Sequence, residues 1–400
     1  MLIINDHKDH GKPLDAGDAA TIGLAAASEA ERFLEQRDGH RPTPLLSLPS
    51  LARELGVAAI HIKDEGHRLG LGSFKALGGS YAVIRLIVEE ASRQLGRTID
   101  ISEFRSPDVH AVAAKLTVAC ATDGNHGRSV AQGAKLVGAK CVIFVHAGVS
   151  DARVNAIARF GAETVRVAGN YDDSVAEATR VANESGWIIV SDTSWPGYER
   201  IPGLVMQGYT ALLREALRQL PEPPTHVFVQ AGVGGIAAAV AGHFSQVLGP
   251  QRPFFVVVDP AHAACLYESA RAGHPVKLLH GEATVMAMLE CHEPSLVAWR
   301  ILSRTADAFM TVEDDEAIDV MKRLAHPVPD DPVIVAGESG GVGLAGLIQI
   351  TRDPALRNRV KLGAHARIFL INTEGATDAI VYERLVGQTP GAVAGKGTHA

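Results

Sequence analysis

The sequence predicts an α/β protein built on mainly parallel sheets. The first observation is that short β-branched runs alternate with longer Ala/Leu/Glu/Arg runs from Ala58 onward, the pattern of βαβ units. The second is that 400 residues with 46% hydrophobic content are enough for two or three domain cores. The third is exclusion: 21% charged residues, 5% aromatics, 40 Gly and 20 Pro match neither collagen, mucin nor a disordered tail.

In chain order, the helical pattern Ala20–Gln36 opens the fold and is expected to wrap its outside. Strands are expected at Ala58–Lys63, Leu116–Ala121, Lys140–Val145, Thr164–Val167, Trp187–Val190, His226–Gln230, Phe254–Asp259 and Ile368–Asn372. Helices are expected at Ala76–Leu95, Asn125–Leu136, Val154–Phe160, Asp173–Glu184, Leu204–Gln219 and Ile236–Phe244. The block from about Ile84 to Ser194 alternates regularly as a lobe of its own. The expected division is therefore 1–83 with 195–400 as a large domain and 84–194 as a small one, with a cleft between them. The small, Gly-rich stretch from Gly387 to Ala400 reads as a frayed tail.

The formal charge of −7, without a run of Lys and Arg, excludes a nucleic-acid stripe and favours a small-molecule partner. The N-terminus reaches Asn5, Asp6 and His7 too soon for a secretory signal. The apolar stretch Val227–Ala241 is too short and too rich in glycine to span a bilayer, so a soluble, cytoplasmic protein without membrane contact is expected. The four cysteines, Cys120, Cys141, Cys265 and Cys291, form no CxxC pair, so neither a disulfide framework nor a structural metal is expected.

Five segments carry candidate chemistry. Ser73 is placed to cap the following helix, which puts Lys75 in its first turn. There the helix dipole disfavours an ammonium and biases the amine toward its neutral, nucleophilic form, able to make a Schiff base. The alternative is a solvated lysine, but Gly72, Gly78 and Gly79 allow a close approach to the backbone. The turn Thr122-Asp123-Gly124-Asn125-His126-Gly127 follows a strand and opens a helix, offering free N–H groups to an anion, or it is simply a turn of turn-forming residues. His126 reads as a hydrogen-bonded helix residue. The strand His226–Gln230 runs into Gly232-Val233-Gly234-Gly235 and an Ala-rich helix, suited to a phosphate. The same run satisfies GxGxxA, with Asp259 where a ribose-binding acid should sit, so a nicotinamide dinucleotide is the rival guest. Glu338-Ser339-Gly340 and Asn372-Thr373-Glu374 complete the set, at loops that open sheets direct toward one site.

This order of motifs resembles the fold-type-II pyridoxal-phosphate enzymes, the tryptophan synthase β and threonine dehydratase group, from about Pro42 to Asp378. Within that group the chain is most similar to the diaminopropionate ammonia-lyase family. The likeness rests on Gly72–Gly79, Ala121–Arg128, Ser191–Tyr198, Thr284–Ala287, Gly337–Gly340 and Thr373–Gly375. Dehydratases carry Ser where this chain has Asp123, and Leu69 stands where the family pattern has Phe.

The resemblance implies two lobes with the cofactor pyridoxal 5′-phosphate in their cleft, a homodimer, and a small amino-acid substrate. It makes Lys75 the covalent anchor, with Gly232, Val233, Gly234 and Gly235 at the phosphate, Asn125 at the ring oxygen, and Phe74 and Glu338 lining the cofactor. Thr373 would face the ring nitrogen, where a hydroxyl makes a milder electron sink than a carboxylate and suits elimination. The implied reaction removes ammonia from 2,3-diaminopropionate of either hand, giving pyruvate and a second ammonia. Two bases follow, Lys75 for the L-isomer and Asp123 for the D-isomer, with Asp192 holding the β-ammonium or else capping the turn before Trp195. The competing readings are a serine or threonine dehydratase, a dinucleotide oxidoreductase, and a pyridoxal-phosphate-binding protein without turnover. Pyruvate release from diaminopropionate and from serine separates the first, and a borohydride-bleached chromophore excludes the second.

Overall fold

The computed structural model describes residues 1–122, 124–279 and 282–396. Among them are eleven strands: β1 Leu2–Ile4, β2 Leu45–Ser47, β3 Ala59–Asp64, β4 Thr117–Ala121, β5 Lys140–His146, β6 Glu163–Val167, β7 Ile188–Ile189, β8 His226–Gln230, β9 Phe254–Pro260, β10 Ala308–Val312 and β11 Arg367–Asn372. The eight strands expected from the sequence are all present. The three extra ones had weak signals: β1 and β2 are three-residue edge strands, and β10 (Ala-Phe-Met-Thr-Val) has few β-branched residues.

The chain forms two compact units. The first comprises Met1–Leu24, Pro42–Phe74 and Leu212–Ala400 and holds a sheet of order β1-β10-β9-β8-β11-β3-β2. Its five inner strands run parallel, and β1 and β2 pair antiparallel at the edges. Helices cover both faces of a parallel sheet, so its central strands are buried on both sides and mainly apolar. Every residue of β8 and β10 is accordingly buried. Ile60, Ile62, Phe228, Val256, Val258, Met310 and Leu370 belong to one continuous core cluster.

The second unit comprises Ala25–Arg41 and Lys75–Ala211 and holds the parallel sheet β6-β5-β4-β7. The sequence places the small domain at 84–194, whereas this unit starts at Lys75 because the helix Lys75–Leu95 is a single rod. Residues 25–41 join it through Phe33, whose ring packs on Tyr81 and Phe104, and through Arg37, which donates to Gln132 at 2.6 Å and to Ser80 Oγ at 3.2 Å.

Gly78 and Gly79 serve helix packing rather than a ligand. A Cβ at Gly78 would lie 2.4 Å from the Tyr209 ring, and one at Gly79 2.9 Å from Ser129 Oγ. Opposite, a Cβ at Gly133 would lie 2.8 Å from Ser80 Cα, so Lys75–Leu95 and Asn125–Val137 meet nearly backbone to backbone. Gly78→Ala is expected to lower the melting temperature, since overpacking of this kind costs roughly 1–3 kcal/mol. An unchanged melting curve would contradict the close packing.

Two further expectations are corrected. The run Ala20–Gln36 is two helices, Ala16–Ile22 and Leu24–Glu35, broken at Gly23, where a Cβ would lie 2.6 Å from Ala19 O. The tail is helical over Pro390–Lys396, because Val393 is buried with Tyr382 and Val386 in a small satellite core. No helix among the described residues is long and apolar enough to cross a membrane.

Candidate active site

In the first unit, three loops are stitched together by backbone hydrogen bonds. Phe74 N donates to Thr373 O at 2.9 Å, Gly375 N to Gly72 O at 3.0 Å, Gly337 N to Glu374 O at 3.0 Å and Thr373 N to Gly340 O at 3.0 Å. Backbones can approach this closely because Gly337 and Gly340 lack side chains; a Cβ at Gly340 would stand 2.3 Å from Glu374 O. Phe74, Glu338 and Thr373 are thereby brought to one place, at the carboxyl end of β11. Ser73 does not cap the following helix. It bridges to Glu374, and its buried hydroxyl finds no hydrogen-bond partner among the described residues.

Gln230, the fully buried last residue of β8, ties the glycine loop to this cluster. Its Nε2 lies 2.9 Å from Thr373 Oγ1 and 3.1 Å from Ile371 O, and its Oε1 accepts from Gly343 N at 3.1 Å. The Thr373 hydroxyl in turn donates to Ser339 O at 3.3 Å. Sequence reasoning missed Gln230; its signal is a polar residue that follows Val227-Phe228-Val229 and closes the strand just before the glycines.

Beyond it, Gly234 adopts φ +99°, a left-handed conformation that favours glycine, and the helix Gly235–Leu248 begins without a side-chain cap. Its first-turn N–H groups therefore present a positive helix end suited to an anion. The rival dinucleotide reading fails at Asp259. Its Oδ2 accepts from Leu266 N at 3.0 Å and Tyr267 N at 2.8 Å, capping the helix Cys265–Ala272, and burial pushes the carboxyl up to about 8. Cys265 and Cys291 lie beside this loop without a disulfide between them: Cys265 Sγ lies 3.6 Å from Gly232 O, and a Cβ on Gly232 would stand 2.8 Å from Cys291 Sγ.

The loop that delivers residues 65–74 rests on a buried ionic network. Arg68 donates to Glu65 Oε1 at 2.7 Å and to Glu215 Oε2 at 2.7 Å. Lys63 donates to Glu215 at 2.9 Å, Gln219 at 2.8 Å and Thr43 O at 2.8 Å. The three ammonium protons of Lys63 are thus matched by three acceptors, which holds it as a structural cation.

In the second unit, Lys75 opens its helix and its Nζ donates to Asp192 Oδ2. The sequence expectation of an amine biased toward neutrality by the helix dipole is modified by this carboxylate, which offsets the dipole. Burial raises the Asp192 carboxyl, but the Lys75 ammonium and hydrogen bonding together outweigh it and hold the group well below the usual carboxylate range. Asp192 therefore faces Lys75. The loop that carries it is pinned by Tyr198, whose hydroxyl donates to Ile189 O at 2.8 Å and accepts from Ser191 N at 3.0 Å while its ring stacks on Trp195 at 4.1 Å.

Asn125 begins the helix Asn125–Val137, buried, with Oδ1 accepting from Arg128 at 3.4 Å. Some of the N–H groups expected to await an anion here are taken: Thr122 Oγ1 accepts from Gly124 N at 3.1 Å and Gly127 N at 3.2 Å. Asp123, the expected second base, lies outside the described residues. Among the described residues no cluster of His, Cys, Asp and Glu is arranged to hold a metal ion.

These features accord with known relatives. Residues 36–374 match the family model of pyridoxal-phosphate dependent enzymes. The chain is 40% identical over 374 residues to a diaminopropionate ammonia-lyase of Escherichia coli strain K12, covering 92% of this chain and 93% of that protein. It is 38% identical over 368 residues to the enzyme of that name from Salmonella typhimurium strain LT2, covering 90% and 91%. Its fold matches the crystal structure of the Escherichia coli diaminopropionate ammonia-lyase in complex with an aminoacrylate–pyridoxal-phosphate azomethine intermediate, with a TM-score of 0.85, 37% identity, and 96% and 97% of the two chains covered.

Proposed function

The chain belongs to the diaminopropionate ammonia-lyase family of pyridoxal-phosphate dependent enzymes, and from that membership we infer that it removes ammonia from D- and L-2,3-diaminopropionate, yielding pyruvate and two ammonia. The observation that carries the reading is Lys75 at a helix start, its amine on the Asp192 carboxylate.

The residues present fit pyridoxal 5′-phosphate. Lys75 would hold it covalently through its amine. The N–H groups of Gly232, Val233, Gly234 and Gly235 would take the phosphate, in keeping with the uncapped helix start at Gly235. Asn125 would donate to the ring oxygen, Thr373 would stand at the ring nitrogen, and Phe74 and Glu338 would line the group. When bound, the cofactor supplies an electron sink that makes the substrate's Cα proton removable.

The chain's own part is proton handling and charge placement. Lys75 Nζ, once free and neutral, accepts the Cα proton of the L-isomer, and Asp123 that of the D-isomer from the opposite face. Asp192, ionised throughout the neutral range, holds the β-ammonium, which leaves as ammonia. We further propose that the enzyme works as a cytoplasmic homodimer.

The test is coupled detection of pyruvate with each enantiomer. Both isomers, but not serine to a comparable extent, are expected to release it. Asp123→Asn is expected to lower D-isomer turnover about a hundredfold while sparing the L-isomer, as loss of a general base does. Equal loss on both isomers would contradict the two-base assignment.

A further inference from the structure

His126 supplies a further buried acceptor in the neighbourhood of Lys75 and Asp192. Its side chain is 4% exposed. Its Nε2 lies 2.8 Å from Val190 O, which can only accept, so Nε2 carries the ring proton and Nδ1 presents a lone pair. Nδ1 is buried and makes no hydrogen bond among the described residues. Burial lowers the imidazole's affinity for a second proton, which Lys75 reinforces and Asp192 opposes. Among the described residues the charges that act on the ring are Asp192 and Lys75; Cys120, Tyr198 and Tyr209, which share those two neighbours, are all raised by burial and stay neutral.

Nδ1 stands 3.9 Å from Asp192 Oδ2, too far for a hydrogen bond between them. A single donor nitrogen can nevertheless reach both atoms at ordinary hydrogen-bond lengths of about 2.8–3.0 Å. Such a donor needs two protons, and an ammonium has three.

We propose that His126 Nδ1 and Asp192 Oδ2 form a two-acceptor seat for the β-ammonium of the substrate, which makes His126 a specificity-determining residue for a β-amine over a β-hydroxyl. The proposal rests on the substrate assignment above. A serine hydroxyl offers one proton, so one of the two buried acceptors stays unpaired, and such sites reject the poorer donor. In the resting protein Asp192 is occupied by Lys75, and its carboxylate becomes available when that amine is engaged elsewhere.

Two variants separate this role from packing. In His126→Gln the amide nitrogen can still donate to Val190 O, but the Nδ1 acceptor is lost. In His126→Asn the amide oxygen takes the place of Nδ1. The first measurement is kcat/KM for diaminopropionate and for serine at matched cofactor content. The second is the half-saturation of the cofactor's absorbance change with 2,4-diaminobutyrate, which carries the cation but no leaving group at Cβ, and with 2-aminobutyrate, which lacks the cation.

His126→Gln is expected to lower the diaminopropionate-to-serine ratio about tenfold and to weaken diaminobutyrate relative to aminobutyrate by about the same factor, and His126→Asn to hold both ratios within about threefold. Equal losses on both substrates and both ligands, or matching behaviour of the two variants, would overturn the seat. A wild-type enzyme inactive on diaminopropionate would overturn the substrate assignment instead, while the ligand titration still decides the seat.

Discussion

Lys75→Arg is expected to lower turnover on both diaminopropionate isomers by on the order of 10⁴-fold while leaving the protein folded. Arginine keeps a cation beside Asp192, but its guanidinium stays protonated and cannot bond to an aldehyde. Lys75→Ala loses the same activity and also the ion pair, leaving the Asp192 carboxylate, 15% exposed, without its cation. The alanine variant is therefore expected to melt lower than the arginine variant, a difference that reports the pair itself. Retained turnover in either would remove Lys75 from the chemistry.

Asp192→Asn is the second large effect, expected to lower kcat/KM for diaminopropionate by about 10³-fold, since truncating one member of a buried charge pair costs roughly 2–5 kcal/mol. Its pH dependence follows from the sign of the shift. The folded-state carboxyl is held below its ordinary value of 3.8. Its contribution to stability is thus complete above that value and lost only as the pH falls through the lower folded value. The melting difference between wild type and Asp192→Asn should be constant through the neutral range and close only in strong acid. A difference that vanishes between pH 5 and 6 would contradict an ionised Asp192 paired with Lys75.

Much of this site was legible in the chain because its parts are local. A strand ending in glycines and running into a helix describes an anion cradle whatever packs around it, and Gly232–Gly235 occupy that position. Lys75 stood out by its motif, whereas Lys63, twelve positions earlier, differs by partners the sequence does not display: Glu215 and Gln219 lie on a distant helix. Gly78 and Gly79 were misread, since a glycine that admits a ligand and one that admits a helix look alike until Tyr209 and Ser129 are in place.

What stayed hidden depends on distant backbone. The free lone pair of His126 exists because a carbonyl 64 residues away fixes the ring proton. The meeting of Phe74, Glu338 and Thr373 is made by main-chain hydrogen bonds, to which side-chain identity contributes little beyond the glycines at Gly337 and Gly340. Periodicity reported strands but not the three-residue edges β1 and β2, which pair through a few bonds and bury little.

The most direct measurement of the central claim is borohydride reduction of the cofactor-loaded protein, followed by proteolysis and mass mapping of the labelled peptide. The account predicts one covalent adduct, on Lys75, with loss of the visible chromophore and of turnover together. An adduct on Lys63 or any other lysine, or a chromophore that borohydride leaves unattached to the chain, would contradict it.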